Sequence, residues 1–327
     1  MDNNPQIGEI MKLITFIDIQ SLNIPTQEYY RWVEEMIQHK EETVLPPKIS
    51  LKPVDGVFFN VMPSIIKNKK CSYGGVKVVT RYPERTPALD SNILLFDAEN
   101  GKWLAYLDGN IITAMRTGAV AAHSIMLLAK KDYQTIGVIG AGNVSRATVL
   151  TLLDMNPNRE FYFKILKYKN QAEDFANRFK EYKNAHFEIV NDVHVVAKAS
   201  DVIISGVTYA PKDFCNDEDF CEGVLVVPIH TLGFTNCDFF FDKVFADDYG
   251  HVCHFKNFAK FKKFAEIADV SKGKVPGREN NKERILVYNI GISMHDVNFA
   301  AHIYELLKDN ASLQEINMEE PKVKFWI

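Results

Sequence analysis

Residues 135–155 read TIGVIGAGNVSRATVLTLLDM, and their pattern decides the fold. An apolar run, Thr135 to Ile139, has the length and composition of a buried strand. It meets a glycine turn, Gly140-Ala141-Gly142-Asn143-Val144-Ser145, and a helical stretch leaves that turn. Strand, tight turn and helix in this order bring a helix N-terminus and bare backbone up to a pyrophosphate. Glycine is needed at the first positions for the turn and for close approach. The third small position, where helix meets strand, is Ser145 rather than glycine. The competing reading is an ordinary glycine turn in a flavodoxin-like sheet; the strand–turn–helix context favours a dinucleotide site.

Downstream, short apolar runs recur with helical material between them: FYFKILKY (161–168), HFEIV (186–190), DVIISGV (201–207), GVLVVPI (223–229) and KVFADD (243–248). That alternation predicts a parallel sheet covered on both faces. An acid at the end of the second strand would bind the ribose of NAD, whereas a base accommodates the extra phosphate of NADP. Here the strand ends Ile165-Leu166-Lys167-Tyr168-Lys169, with no acid. NAD(P) is therefore the expected cofactor, with NADP favoured; the alternative is that both lysines are solvated surface residues.

Upstream, TQEYYRWVEEMIQHK (26–40) has apolar residues at helical spacing. KISLKP, VFFNVMP, GGVKVVTRYP and SNILLFDAENGKWLAYLDG read as strands, the last turning at Glu99-Asn100-Gly101 because Asn-Gly supplies positive φ. IITAMRTGAVAAHSIMLLAK (111–130) is a helix rich in small residues, suited to close packing. The tail ISMHDVNFAAHIYELLKDN (292–310) is another helix, expected to join the first domain. The expected fold is thus α/β: a doubly wound Rossmann domain over 117–292, and a discontinuous α+β domain from 1–116 with 293–327.

With 327 residues the chain is long enough for two domains. A net charge of −4 gives no general pull toward nucleic acid or anionic membranes. No apolar run reads as reaching the ~18 residues of a membrane span, and the N-terminus lacks a signal-peptide layout. A cytoplasmic protein is expected. The five cysteines, Cys71, Cys215, Cys221, Cys237 and Cys253, form no C-x-x-C pair and suit a reducing compartment. His251, Cys253 and His254 near Asp247 and Asp248 are the one metal-like cluster; without a second ligand cluster no metal site is expected.

Three cations stand out by context. Lys48 follows two prolines, Lys77 sits inside an apolar strand, and Arg116 lies in the small-residue helix. A guanidinium fork holds a carboxylate well. A lysine in a partly dry cleft moves protons near neutral pH. Taken singly, each reads first as strand alternation or a surface pair; their combination with a dinucleotide fold shifts the balance toward a substrate site.

AYLDGNIITAMRTGAVAAHS followed by IGVIGAGNVS resembles the ornithine cyclodeaminase/mu-crystallin family. GGVKVVTRYP, LLFDAENG, DVIISGV and GRENNKERILVYNIGISMHD extend the resemblance from about Pro46 to the tail. It implies a homodimer and an enzyme acting on a small amino or imino acid. It implies that Lys48, Lys77 and Arg116 bind the substrate, with Lys77 and Arg116 also serving catalysis. It implies cofactor contacts from Gly140, Gly142, Asn143, Val144, Ser145, Lys167, Val207, Ile229, His230, Thr231, Leu232 and Asn289. Four departures matter. Lys48 replaces an arginine, and Asn289 a serine. The chain is shortened between Pro83 and Leu89. Thr235 stands where a cyclodeaminase needs an acid, and Asp238 is the nearest carboxylate along the chain. An NAD(P)-dependent amino-acid dehydrogenase or ketimine reductase is therefore expected. A cyclodeaminase-type lyase using bound NAD catalytically is the second reading. A non-enzymatic NADP- or metabolite-binding protein of mu-crystallin type is the third.

Overall fold

The strand Thr135–Ile139 lies inside an eight-stranded, wholly parallel sheet. A computed structural model describes residues 9–67 and 72–318. Across the sheet the strands run Phe264–Glu266, Lys243–Ala246, Ile285–Tyr288, Leu225–Pro228, Val202–Ser205, Thr135–Ile139, Phe161–Leu166 and Ala185–Val190. The chain steps outward from Thr135–Ile139 to Ala185–Val190, then returns to Val202–Ser205 on the other side. That reversal is the switch point at which open α/β sheets bind ligands, beyond the carboxyl ends of the strands. Every residue of Val202–Ser205, Leu225–Pro228, Lys243–Ala246 and Ile285–Tyr288 is buried. Burial on both faces is why these strands read as continuous apolar runs rather than alternating ones. The fold class is therefore the expected one, α/β with a Rossmann sheet and a second sheet domain.

The long helix Asn110–Leu128 crosses the helix Asn143–Met155 closely. A Cβ on Gly118 would stand 2.4 Å from the Ala147 Cβ and 2.6 Å from its carbonyl carbon. Small residues here serve this approach, as their clustering suggested. By length and composition Asn110–Leu128 could cross a membrane, a length the sequence count had not credited. Two thirds of that window is buried within the protein, as in the core helix of a globular domain.

The chain divides into two compact units. One takes the described residues of Met1–Ile24, Glu41–Ile112 and Ser293–Ile327; the other is Pro25–Lys40 with Thr113–Ile292. The sequence reading put all of 1–116 in the first domain, so the helix Thr26–Gln38 is a correction. Its buried face (Tyr29, Tyr30, Trp32, Val33, Met36, Ile37) belongs to the Rossmann unit, where Tyr30 Oη meets His123 Nδ1 at 3.0 Å. An amphipathic stripe shows that a helix has a partner, not which partner.

The first unit is a seven-stranded sheet in the order Gln314–Met318, Glu9–Ile14, Trp103–Asp108, Leu89–Asp97, Ser72–Arg81, Phe58–Lys67, Ile49–Leu51. All neighbours are antiparallel except Glu9–Ile14 with Trp103–Asp108. The hairpin turns where expected, with Gly101 at φ 79°. The helix Ser293–Leu307 packs across the central strands. Gly75 admits it, since a Cβ there would lie 2.9 Å from Val297. Cys71 lies outside the described residues.

Candidate functional site

The glycine turn is built for close approach at two points. Gly140 has φ 87°, and a Cβ there would strike Val207 at 2.8 Å. Gly142 caps the helix Asn143–Met155 and meets only the Gly206 carbonyl, 4.0 Å from where its Cβ would be. No side chain caps that helix, so its first-turn N–H groups are left for an anion. Asn143 is exposed and Val144 half-buried. Ser145 is different: its hydroxyl is buried and donates to the Gly140 carbonyl at 2.6 Å. Expected as a cofactor contact, its side chain instead locks the turn and fills the space that Gly206 leaves open. These features fit a dinucleotide's pyrophosphate.

Lys167 and Lys169 are exposed at the end of the second strand, with Lys169 at φ 50°. Lys167 pairs with Glu173 at 3.3 Å across a solvated gap, a contact worth little at such exposure.

His230 sits two residues beyond Leu225–Pro228, half-buried, its Nε2 2.7 Å from the Ser205 hydroxyl. Phe214 and Phe234 pack about the ring, and Gly233 at φ 107° makes room for Phe214 and the imidazole. Burial pushes the imidazole down to about 4, against a smaller upward pull from the Leu232 backbone, so it is neutral at pH 7. Ile229 is half-buried beside it, while Thr231 and Leu232 are exposed.

A buried polar network lies at the carboxyl ends of Lys243–Ala246 and Ile285–Tyr288. Asn289 donates from Nδ2 to Asp247 Oδ1 at 2.7 Å and to the Ser124 hydroxyl at 3.1 Å. Gly291 donates its N–H to Asp247 Oδ2 at 2.9 Å. Gly291, at φ 77°, lies flat against the Arg116 guanidinium: a Cβ would be 2.6 Å from Nη1. Burial pushes the Asp247 carboxyl up, opposed by the two hydrogen bonds and by the charges of Arg116 and Lys40. Arg116 and Asn289, both expected in the site, are thus brought together around one carboxylate. Asp247 and Gly291 were not singled out for this role by the sequence reading. The one available signal was a glycine and an acid at the ends of neighbouring apolar runs.

The metal-like cluster has other duties. Asp248 caps the helix Tyr249–Val252, holds His251 Nδ1 at 2.7 Å and pairs with Lys40 at 2.8 Å. Burial alone would raise its carboxyl, but these partners bring it down to about 2. Among the described residues no group of three or more His, Cys, Asp or Glu could hold a metal.

In the first unit, Lys77 is 1% exposed and its Nζ lies 2.8 Å from Asp296 Oδ1, itself 0% exposed. This is the reason a charge faces inward from an apolar strand. Lys48 is half-buried just before Ile49–Leu51, two strands from the strand of Lys77.

Thr235, where a cyclodeaminase acid would stand, gives its N–H to Asp213 at 3.0 Å and its carbonyl to Asn257. Asp213 is exposed, and nothing in the local sequence pattern marks it for this contact. Asp238 is buried and occupied: Tyr288 donates to it at 2.6 Å and Asn257 at 3.2 Å. A shallow cleft of about 770 Å³, lined by residues such as Lys131, Asn156 and Arg159, lies at the amino ends of the strands, away from all of these groups.

A glycine turn at the switch point of a parallel sheet defines a Rossmann-type dinucleotide-binding protein. The ornithine cyclodeaminase/mu-crystallin family model matches residues 11–311, and the chain belongs to that family. It is 24% identical over 305 residues to a nodulation efficiency protein of Rhizobium meliloti, covering 88% of this chain and 93% of the relative. It is 24% identical over 269 residues to a Delta(1)-pyrroline-2-carboxylate reductase of Bacillus cereus, covering 75% and 80%. The structure of the Thermococcus litoralis Delta(1)-pyrroline-2-carboxylate reductase, in complex with NADH and L-proline, superposes with a TM-score of 0.81 at 23% identity, covering 94% of this chain and all of the other.

Proposed function

We propose that the protein is an NAD(P)-dependent oxidoreductase acting on the C–N bond of a small amino or imino acid, in the direction of imine reduction. One observation favours this over lyase chemistry: the position a cyclodeaminase gives to an acid is Thr235, and the neighbouring Asp238 is committed to Tyr288 and Asn257. Relatives that reduce cyclic imino acids support the same reading.

A nicotinamide coenzyme, when bound, would supply the hydride for the imine carbon. The chain's own groups do the rest. Gly140, Gly142 and the first amides of Asn143–Met155 hold the pyrophosphate. Arg116, fixed against Gly291, presents a planar fork to the substrate carboxylate. Lys77 holds a proton near the substrate nitrogen, and Lys48 adds positive charge. Neutral His230 and Asn289 line the coenzyme. Lys167 and Lys169 favour NADPH over NADH, because no acid stands at the end of Phe161–Leu166 to take a ribose hydroxyl. The protein works in the cytoplasm.

The assay is coenzyme oxidation with cyclic ketimines and with keto acids plus ammonia. The reading requires turnover of at least one of them and its loss in Arg116→Ala. Turnover of none, with ornithine releasing ammonia and no net coenzyme change, would replace it by the lyase.

A homodimer accompanies this reading. The sheet face opposite the helix Ser293–Leu307 carries half-buried Val61, Pro63, Val76, Val78 and Leu94 in cross-strand register. Such an apolar face suits a second copy. Light scattering should give twice the chain mass, and Val61→Glu with Val78→Glu should give the monomer.

A further inference from the structure

Lys77, one of the proposed substrate groups, has its charge balanced by a fully buried carboxylate. Its strand, Ser72–Arg81, presents Tyr73, Gly75, Lys77 and Val79 to the helix Ser293–Leu307. Asp296 lies in the first turn of that helix, 219 residues along the chain, and meets Nζ at 2.8 Å. Among the described residues, several other titratable groups lie on the same face or beside it. Tyr73, on the same face, donates to Glu305 at 2.8 Å. Arg81, also on that face, donates to the Gly56 carbonyl. The strands on either side place Met62 and Ile93 opposite Lys77, neither of which titrates. His295 is buried next to Asp296 on the helix.

Burial by itself drives a lysine toward the neutral amine, and an adjacent carboxylate opposes this. A carboxylate in a first helical turn is also favoured by the helix dipole, which anchors it there. The geometry points to Asp296 as a positioning residue that fixes the Lys77 ammonium in place and keeps it charged at neutral pH. The proposal rests on the reading that Lys77 acts on the substrate. It adds that the amine serves as a proton carrier because the Asp296 carboxylate stands 2.8 Å from Nζ. Asp296 does not itself reach the reacting atoms.

The test uses the full chain with Asp296→Asn and Asp296→Glu. Lysine Cε resonances in carbon-13-labelled protein, with the Lys77 signal assigned by Lys77→Arg, report the Lys77 titration with no substrate present. In Asp296→Asn the midpoint should fall by roughly one to three pH units. The alkaline limb of the kcat/KM profile should fall with it, so that activity recovers at lower pH. In Asp296→Glu the limb should stay in place while kcat drops, because charge is kept and the ammonium is displaced. An unmoved Lys77 titration with a uniform loss of activity would overturn the proposal and leave Asp296 a structural residue. If Asp296→Asn does not fold, Asp296→Glu decides: wild-type kcat or a shifted limb overturns it. Full activity in Lys77→Met would instead overturn the reading of Lys77, whatever the resonances show.

Discussion

Gly291→Ala separates the geometry of the carboxylate fork from the stability of the fold. Two costs arise. Gly291 has φ 77°, and an L-residue in the left-handed region is disfavoured by roughly 1–2 kcal/mol. The new methyl would also stand 2.6 Å from Arg116 Nη1, so the guanidinium must retreat by about 0.8 Å to reach the 3.4 Å of ordinary contact. Its far end is flexible, so the retreat adds little to the folding cost. It is damaging for function, because misplacing a binding group by about 1 Å can cost on the order of 10²-fold in kcat/KM. Gly273→Ala is the control. Gly273 has φ 69° with nothing within 4 Å of its Cβ, so the same backbone strain comes without a collision. Both variants should lose a similar few degrees of Tm. Only Gly291→Ala should lose kcat/KM, by about 30–100-fold and mainly through KM. Denaturant melts and steady-state kinetics of the pair give both quantities. A kcat/KM within about threefold of the control would refute the reasoning that Arg116 is held by this contact for substrate.

Stability should fall between pH 6.5 and pH 4, because burial pushes His123 and His230 down to about 4 in the folded chain. The unfolded chain binds those protons from about pH 6.5 downward, so each histidine costs about 2 kcal/mol at pH 5. His123→Gln should flatten that slope by close to half in urea melts across the range. Gly118→Val puts side-chain atoms where the Ala147 backbone stands, 2.6 Å from a Cβ, and should cost about 3 kcal/mol or more by the same measurement. Lys167→Glu combined with Lys169→Glu should lower affinity for NADPH relative to NADH at least about tenfold in fluorescence titrations. Equal loss for both coenzymes would place the lysines away from the ribose phosphate.

Much of the fold was legible because its signals are local. The glycine turn, the fully apolar runs and the Asn-Gly hairpin each follow from a few adjacent residues. The strands Glu9–Ile14 and Gln314–Met318 were not legible: EIMKLI and QEINM are short and mixed, and they become strands by pairing with each other across the length of the chain. The helix Thr26–Gln38 showed its stripe but not its partner. The same division runs through the site. Arg116, Lys77 and the glycines were marked by residue type in an unusual setting. What holds them was invisible: Asp296 is 219 residues from Lys77, and Asp247 reaches Asn289 and Gly291 across more than 40 residues. Asp247 read as part of a metal-like cluster, because sequence proximity to histidines says nothing about which way its carboxylate points. Ser145 is legible as the small residue of the turn, but not the direction of its hydroxyl, which faces the Gly140 carbonyl.

The most direct test of net imine reduction is a stoichiometric one. Purified protein is mixed with excess Δ1-pyrroline-2-carboxylate and a limiting amount of NADPH or NADH, and nicotinamide absorbance is followed alongside the amino acid formed. One proline should form for each reduced coenzyme consumed, with the reaction stopping when the coenzyme is spent. Unchanged absorbance over the whole panel of ketimines and keto acids, together with ammonia released from a diamino acid in the presence of catalytic NAD, would contradict it.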